Sequence, residues 1–305
     1  MAKISYIDND IKYAKAYIKR DYSEISDEIE ESLNDLSFFF ENGEQIYGYS
    51  ITQNALLSEV YKNDFFAVHF CFRNIDTLHN PEQEKCIGKL LEHLMRQISE
   101  TKGYYNLKLP TNIVDLIRAY NRLERYPFIF CGGTVQQYIY RKAVPDSNKN
   151  GLHVFIADKE YITAHREELL TMTYNSFESY QGQYHCSYAI SDRAGEIYKH
   201  WINESLQPES KDRIIVAEYS NVPIGFVTTK EDDFAVVGVL SAVSDEYRQY
   251  GAYKAMIAYI INYANEKQKS FITGTQFDNF IVQGVWNSLG MKSYYSFYNI
   301  HLDMR

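Results

Sequence analysis

LSAVSDEYRQYGAYKAMIAYIINYA, residues 240–264, is the stretch on which the fold turns. It reads as the end of a buried strand, a polar turn and the start of a long helix. The turn carries Arg248, Gln249, Tyr250, Gly251 and Ala252. The first backbone N–H groups of a helix have no partners inside it, and the helix dipole favours negative charge there. Gly251 lets the backbone approach a bulky anion with no Cβ in the way. Arg248 can add a charge-assisted contact. The stretch therefore predicts a pyrophosphate cradle, and the chain on either side must say which pyrophosphate it holds.

Working outward, the second half reads as strand 153–157, helix 161–174, a loop over 175–192 rich in Tyr, Gln and Ser, and helix 193–206. Strands 213–218, 224–229 and 234–243 follow, separated by turns at Asn221-Val222-Pro223 and Asp232-Asp233. After the helix over 249–267 come strand 270–275, helix 278–289 and strand 291–304. Upstream lies PDSNKNG, residues 145–151, a short polar run of turn formers that reads as a linker.

The first half opens with a strand over 1–7 and a helix over 8–36, where Ile11, Ala14, Tyr17, Ile18, Ile25, Ile29 and Leu33 recur at helical spacing. An aromatic run at 37–40, a turn at Asn42-Gly43 and strands at 45–52 and 65–72 follow. Pro81 opens a helix over 81–99, Pro being favoured at the first helical position. Strand 104–109, helix 112–123 and a strand region 127–141 broken by Gly132-Gly133 complete the half. Both halves thus read strand, helix, three strands, helix, strand, helix, strand, an order that suggests duplication. The first half has NIDTLHNPEQ, residues 74–83, where the cradle turn should fall, so only the second is expected to hold the anion. The fold class expected is α+β, each half a mixed, mostly antiparallel sheet flanked by helices. The domains expected are 1–145, a degenerate copy, and 152–305, joined by a linker over 146–151.

Composition narrows the partners. The chain has 305 residues, 45% of them hydrophobic, which is ample for two cores. A formal net charge of −9 without a basic run counts against nucleic acid or an anionic membrane as partner. Cys71, Cys86, Cys131 and Cys186 lie far apart, with no CxxC and no His pair at ligand spacing, so reduced thiols and no metal are expected. The N-terminus lacks an apolar signal segment, and no apolar run reaches the ~20 residues of a membrane span. A cytoplasmic location is the expectation.

At this point the second half resembles the GNAT (Gcn5-related N-acetyltransferase) superfamily over residues ~152–305. The resemblance rests on the Arg248-Gln249-Tyr250-Gly251-Ala252-Tyr253 turn after a strand ending Leu240-Ser241-Ala242-Val243. It rests also on TGTQFDNFIVQGVWNSLGM, residues 273–291. Tyr253 stands where the family has a second glycine. Thr275-Gln276, Asn279, Gln283, Trp286 and Leu289-Gly290, with Tyr198, Trp201, Ile202, Ser205 and Leu206, are similar to the pattern of acetyltransferases acting on nucleotide-linked amino-deoxysugars, the TDP-fucosamine type.

The resemblance implies acetyl-CoA as cofactor and a small-molecule primary amine as acceptor, with a nucleotide-linked amino sugar expected first. Another amine (a polyamine, an antibiotic or a peptide terminus) and a non-catalytic acyl-CoA-binding domain are the alternatives. A homodimer is compatible with it. Cofactor contacts would come from Leu240, Ala242 and Val243 on the strand, Arg248, Gln249, Tyr250, Gly251, Ala252 and Tyr253 at the turn, and Asn279 and Trp286 on the later helix. The backbone N–H of Ala242 or Val243 would serve the oxyanion. The family's thiolate acid is a tyrosine where this chain has Trp286, whose indole N–H is no practical proton source; Tyr294, Tyr298 or water would have to replace it. No carboxylate stands among Val236, Val237 and Val239, where the family's base would lie. Tyr184, His185, Tyr188 and Asp192 are the expected acceptor contacts, and His185, titrating near neutrality, could act as base. Trp201 and His301 are read as structural.

Overall fold

The computed structural model describes residues 3–7, 36–76, 78–140, 142–145, 151–178, 180 and 182–305. The helix expected over 8–36 and most of the linker therefore lie outside the described residues, apart from Leu36 and Gly151 at their edges. The first half runs β1 (Lys3–Ile7), β2 (Phe38–Asn42), β3 (Gln45–Gln53), α1 (Ala55–Tyr61), β4 (Phe65–Asp76), α2 (Pro81–Thr101), β5 (Tyr104–Pro110), α3 (Val114–Tyr120) and β6 (Phe128–Tyr140). The second runs β7 (Leu152–Ile156), α4 (Lys159–Ala164), α5 (Arg166–Phe177), α6 (Gln183–Cys186), α7 (Ala194–Ser205), β8 (Arg213–Tyr219), β9 (Val222–Glu231) and β10 (Ala235–Val243). It ends with α8 (Ala252–Glu266), β11 (Ser270–Gln276), α9 (Phe280–Ser288) and β12 (Lys292–Asp303).

Four local expectations change. Helix α1 was not foreseen; Asn54 starts it by accepting from the Leu57 N–H at 3.0 Å. The helix expected over 161–174 is two, α4 and α5, parted at His165 (φ −111°, ψ 18°), while Arg166 is drawn onto Leu206 O at 2.8 Å and Asn203 Oδ1 at 2.6 Å. Strand β6 is not broken at its glycines; it runs on through Gly132 at φ +80°, a value that glycine adopts without a side-chain clash. The helix expected from 249 begins at Ala252, after a 3₁₀ turn over Asp245–Tyr250.

The chain divides into two compact units. The first holds residues 1–134, 186–189 and 295–305; the second holds 135–185 and 190–294. The units thus depart from the contiguous halves expected from sequence. The last strand of the second half, β12, gives most of its length to the first unit, and the end of β6 goes to the second. In the first unit the strand order is β2-β3-β4-β5-β12-β6, and in the second β6-β11-β10-β9-β8-β7. Each sheet has one described parallel pair, β4 with β5 and β10 with β11, among antiparallel neighbours.

Each unit packs a long amphipathic helix on its sheet. In α2, Ile87, Leu90, Leu91, Leu94 and Ile98 are buried, and in α8 so are Ala255, Met256, Ile257, Ile260, Ile261 and Ala264. These recur at the three- and four-residue spacing that aligns one helical face. No helix among the described residues is long and apolar enough to cross a membrane.

The two parallel pairs behave alike and are then treated differently. In the first unit, pairing runs from Phe65↔Tyr104 to Val68↔Leu107 and then stops. Beyond it, β1 pairs with β4 over 71–76. Since β3 already holds the opposite edge of β4 at Cys71, Phe72 and Arg73, β1 lies on the edge that β5 has left. The N-terminus of α2 is closed as well. Asn80 Oδ1 accepts from Glu82 N and Gln83 N, and the fully buried Asp115 accepts from Asn80 N at 3.0 Å and Gln83 Nε2 at 2.9 Å. His79 Nδ1 lies 2.6 Å from the other oxygen of Asp115. Glu84 completes an acidic cluster that sequence reading missed, with a spacing that could hold a cation. Its carboxylate, however, is bound by Arg118 at 2.8 Å and by Arg122, and the Arg118 hydrogen bond holds it below the usual carboxylate range.

A buried polar chain joins three segments of the first unit. Tyr104 Oη lies 2.5 Å from Ser187 Oγ and 2.6 Å from His301 Nδ1. Burial pulls the His301 pKa from 6.5 down to about 3. The unfolded chain binds the proton first as pH falls, so this histidine contributes stability above about pH 6.5 that is lost on the way to pH 3. We expect urea melts at pH 7 and pH 4.5 to differ less for His301→Asn than for the wild type. Replacing Asp115 with Ala leaves Asn80 N without its acceptor and Gln83 Nε2 with Asp76 O alone, and thermal melts should show a loss of roughly 2–3 kcal/mol.

Candidate functional site

The second unit leaves open what the first unit fills. Strands β10 and β11 pair in parallel from Ala235↔Ser270 to Gly238↔Thr273 and no further, although β10 continues to Val243 and β11 to Gln276. A register shift in β10 between Gly238 and Leu240 accompanies the parting. On its other edge β10 stays paired with β9 through Val243↔Gly225. Ser244 N donates to Ile224 O at 2.9 Å. In an antiparallel ladder, alternate residues direct their N–H groups to the same neighbour. Ala242 N–H is therefore directed to β9, and the N–H groups of Ser241 and Val243 face the edge that β11 has left. Of the two oxyanion donors expected from sequence, this alternation leaves Val243 and takes away Ala242.

The loop after β10 leads directly to the second open group of donors. Gly251 caps α8 at φ +79°, ψ 12°, with open space around an added Cβ, so its requirement is conformational rather than steric. No side chain caps α8. Ala255 N donates to Gly251 O at 3.0 Å, which leaves the N–H groups of Ala252, Tyr253 and Lys254 as the unpaired first turn. Gln249 and Tyr250, expected among the backbone donors, stand in the preceding 3₁₀ turn instead. Arg248 is exposed and pairs with Asp245 at 2.6 Å. Tyr250 packs against Tyr219 and Tyr247, at ring separations of 5.1 and 5.3 Å.

Side chains from four elements meet near the parted strands. Trp286, 1% exposed on α9, donates its Nε1–H to Tyr253 Oη at 3.0 Å. Burial raises the Tyr253 pKa, and hydrogen bonds with Trp286 and Ser241 oppose that rise. Thr275 on β11 accepts from Asn279 Nδ2 at 3.0 Å. Tyr180 hydrogen-bonds Thr275 and Asn279, which partly offsets its own burial-driven rise. Asn279 thus acts as a cap for α9: its Oδ1 takes the Val282 N–H at 3.3 Å and its amide holds Thr275. Gln283 Nε2 ties the same corner to Gln276 O and Phe277 O.

The remaining expected residues scatter. Tyr184 is buried, edge-on to Tyr198 at 5.7 Å. His185 Nε2 lies 3.0 Å from Glu178 O. Tyr188 is 76% exposed and belongs to the first unit, whereas Asp192 is an exposed residue of a 3₁₀ turn in the second. Tyr294 donates to Gln136 Oε1 at 2.6 Å. Tyr298 lies in the first unit, opposite Leu109 on β5 and 5.7 Å from the Phe130 ring. Sequence reading missed the side chains of Ser241, Tyr253, Thr275 and Tyr180. The one available signal was Tyr253 at a position where a glycine was expected.

An open parallel pair beside an uncapped helix start is a place for a long anionic ligand to lie against main-chain donors. Residues 172–291, which include both features, match the model of the acetyltransferase (GNAT) family. No curated protein matches the sequence significantly. Among solved structures, the chain is similar to a GCN5-related N-acetyltransferase from Sphaerobacter thermophilus, at 10% identity and a TM-score of 0.59 over 90% of this chain and 85% of that one. A GCN5-related N-acetyltransferase from Kribbella flavida gives 10% identity and a TM-score of 0.52 over 90% and 94%. A conserved protein of unknown function from Staphylococcus epidermidis gives 14% identity and a TM-score of 0.57 over 89% and 95%. At such identities the likeness is one of fold, and it agrees with the similarity of residues 172–291 to the acetyltransferase (GNAT) family model.

Proposed function

We propose that the second unit binds acetyl-CoA and transfers its acetyl group to a primary amine on a small polar acceptor. The observation that carries this reading is the gap between β10 and β11 beyond Gly238↔Thr273, flanked by the uncapped first turn of α8. The N–H groups of Ala252, Tyr253 and Lys254 suit a pyrophosphate, with the Arg248 guanidinium able to leave Asp245 for it. The Ser241 and Val243 main chain suits the amides of an extended pantetheine arm. Val243 N–H is then the donor for the oxyanion that forms when an amine adds to the thioester carbonyl. No carboxylate lies on β10, so the acceptor is an amine that is partly neutral at working pH, such as one on an amino-deoxysugar. Nucleotide-linked amino sugars are the first acceptors to offer. The segment from Tyr180 to Asp192, with its tyrosine and serine hydroxyls and one carboxylate, Asp192, suits hydroxyl-rich acceptors better than polycations.

Two measurements test this. CoA release from acetyl-CoA in the presence of TDP- and UDP-linked amino sugars should exceed release without an acceptor. Tight acetyl-CoA binding with no turnover on sugars, polyamines or peptide amines would instead make the unit an acyl-CoA-binding domain. The double substitution Arg248→Ala, Gly251→Asp places a carboxylate at the α8 terminus and removes a cation; acetyl-CoA affinity should fall at least about tenfold, the scale of losing one charge-assisted contact. Unchanged affinity in calorimetry would show that the pyrophosphate binds elsewhere.

A further inference from the structure

Trp286 occupies the place where the resemblance leads one to expect a phenol, and its indole cannot release a proton at neutral pH. What it does instead is visible: it gives its N–H to Tyr253 Oη, at 3.0 Å, from a position that is 1% exposed. That hydroxyl has one proton of its own. With the indole N–H occupying an oxygen lone pair, the phenol proton is turned to another acceptor. Ser241, the other hydrogen-bond partner of Tyr253, lies on β10 three residues beyond the last parallel pair, and Thr275 and Tyr180 mark the β11 side of the same gap. Tyr180 also acts electrostatically on Tyr253. Of the alternative phenols, Tyr294 is bound to Gln136 Oε1 at 2.6 Å.

We infer that Tyr253 is the proton donor to the leaving thiolate of acetyl transfer, and that Trp286 is its positioning residue. The inference rests on the acetyl-CoA reading above. The acceptor nitrogen bonds to the thioester carbonyl carbon and the C–S bond breaks, its electron pair staying on sulfur. The Tyr253 proton passes to that sulfur, giving free CoA thiol. The surplus proton of the amine leaves to water, and water returns a proton to the Tyr253 oxygen, so amide and thiol are the only net products. The indole N–H stabilises the phenolate in the interval.

A test that needs no acceptor compares CoA with desulfo-CoA. A phenol aimed at sulfur stabilises bound thiolate, so wild-type protein should prefer CoA over desulfo-CoA more strongly at pH 9 than at pH 7, across the ordinary thiol pKa of about 8.5. The gain in calorimetric affinity ratio should be about tenfold or more, the scale of a hydrogen bond to a charged atom. Tyr253→Phe should lose that gain while its acetyl-CoA affinity stays within about twofold, and Trp286→Phe should lose part of it. With any amine that turns over, Tyr253→Phe should lower kcat and leave KM for acetyl-CoA unchanged. A thiol preference that persists in folded Tyr253→Phe overturns the inference alone. If that variant does not fold, an undiminished preference in Trp286→Phe overturns it equally. Failure of the wild type to bind acetyl-CoA at all overturns the cofactor reading first.

Discussion

Two parallel strands that stop pairing halfway along their length leave main-chain donors and acceptors with no partner. Such groups are costly when buried, and a folded chain has to meet their demand with something. This protein does so in two ways. In the first unit, β1 takes the vacated edge of β4, and the carboxylate of Asp115 sits at the start of α2. In the second unit, β10 past Gly238 and the first turn of α8 have no such occupant among the described residues. The asymmetry follows from ordinary hydrogen-bond satisfaction: one unit meets its own demand, and the other leaves main-chain donors open among the described residues.

The occupant of the first unit imitates what the second unit is proposed to receive. A carboxylate at a helix N-terminus is a small stand-in for a phosphate, and a β-strand is a stand-in for an extended chain of amides. His79, Glu84 and Asp115 fit this account better than a metal reading, because Gln83, Asn80, Arg118 and Arg122 already bind their carboxylates.

Much of this was legible in the sequence where a residue's chemistry acts locally. The Asn80-Pro81 start of α2, the periodic apolar face of α8 and the Gly251 turn all report on backbone conformation within a few residues, and all appear in the structure near their expected positions. What failed did so because the deciding contact is distant. The helix parts at His165, next to an Arg166 that reaches Asn203 and Leu206; Asn279 caps α9 through Val282 and holds Thr275. The direction of an N–H in β10 depends on register with β9, which no local pattern encodes. Tyr253 drew notice as a turn donor and as a departure from an expected glycine, not for its hydroxyl, and its partner Trp286 lies 33 residues on.

The placing of β12 also sets an order of events during synthesis. Its residues 297–303 pair with β5 in the first unit, so Tyr104 meets His301 across 197 residues of chain. A ribosome that has released the whole first half has not yet supplied the strand that covers β5. Until residue 303 emerges, that strand keeps an unpaired edge, the kind of surface that recruits other chains. The nascent protein must therefore carry an unfinished sheet for nearly two thirds of its length, and its yield should depend on chaperone supply more than its final stability would suggest.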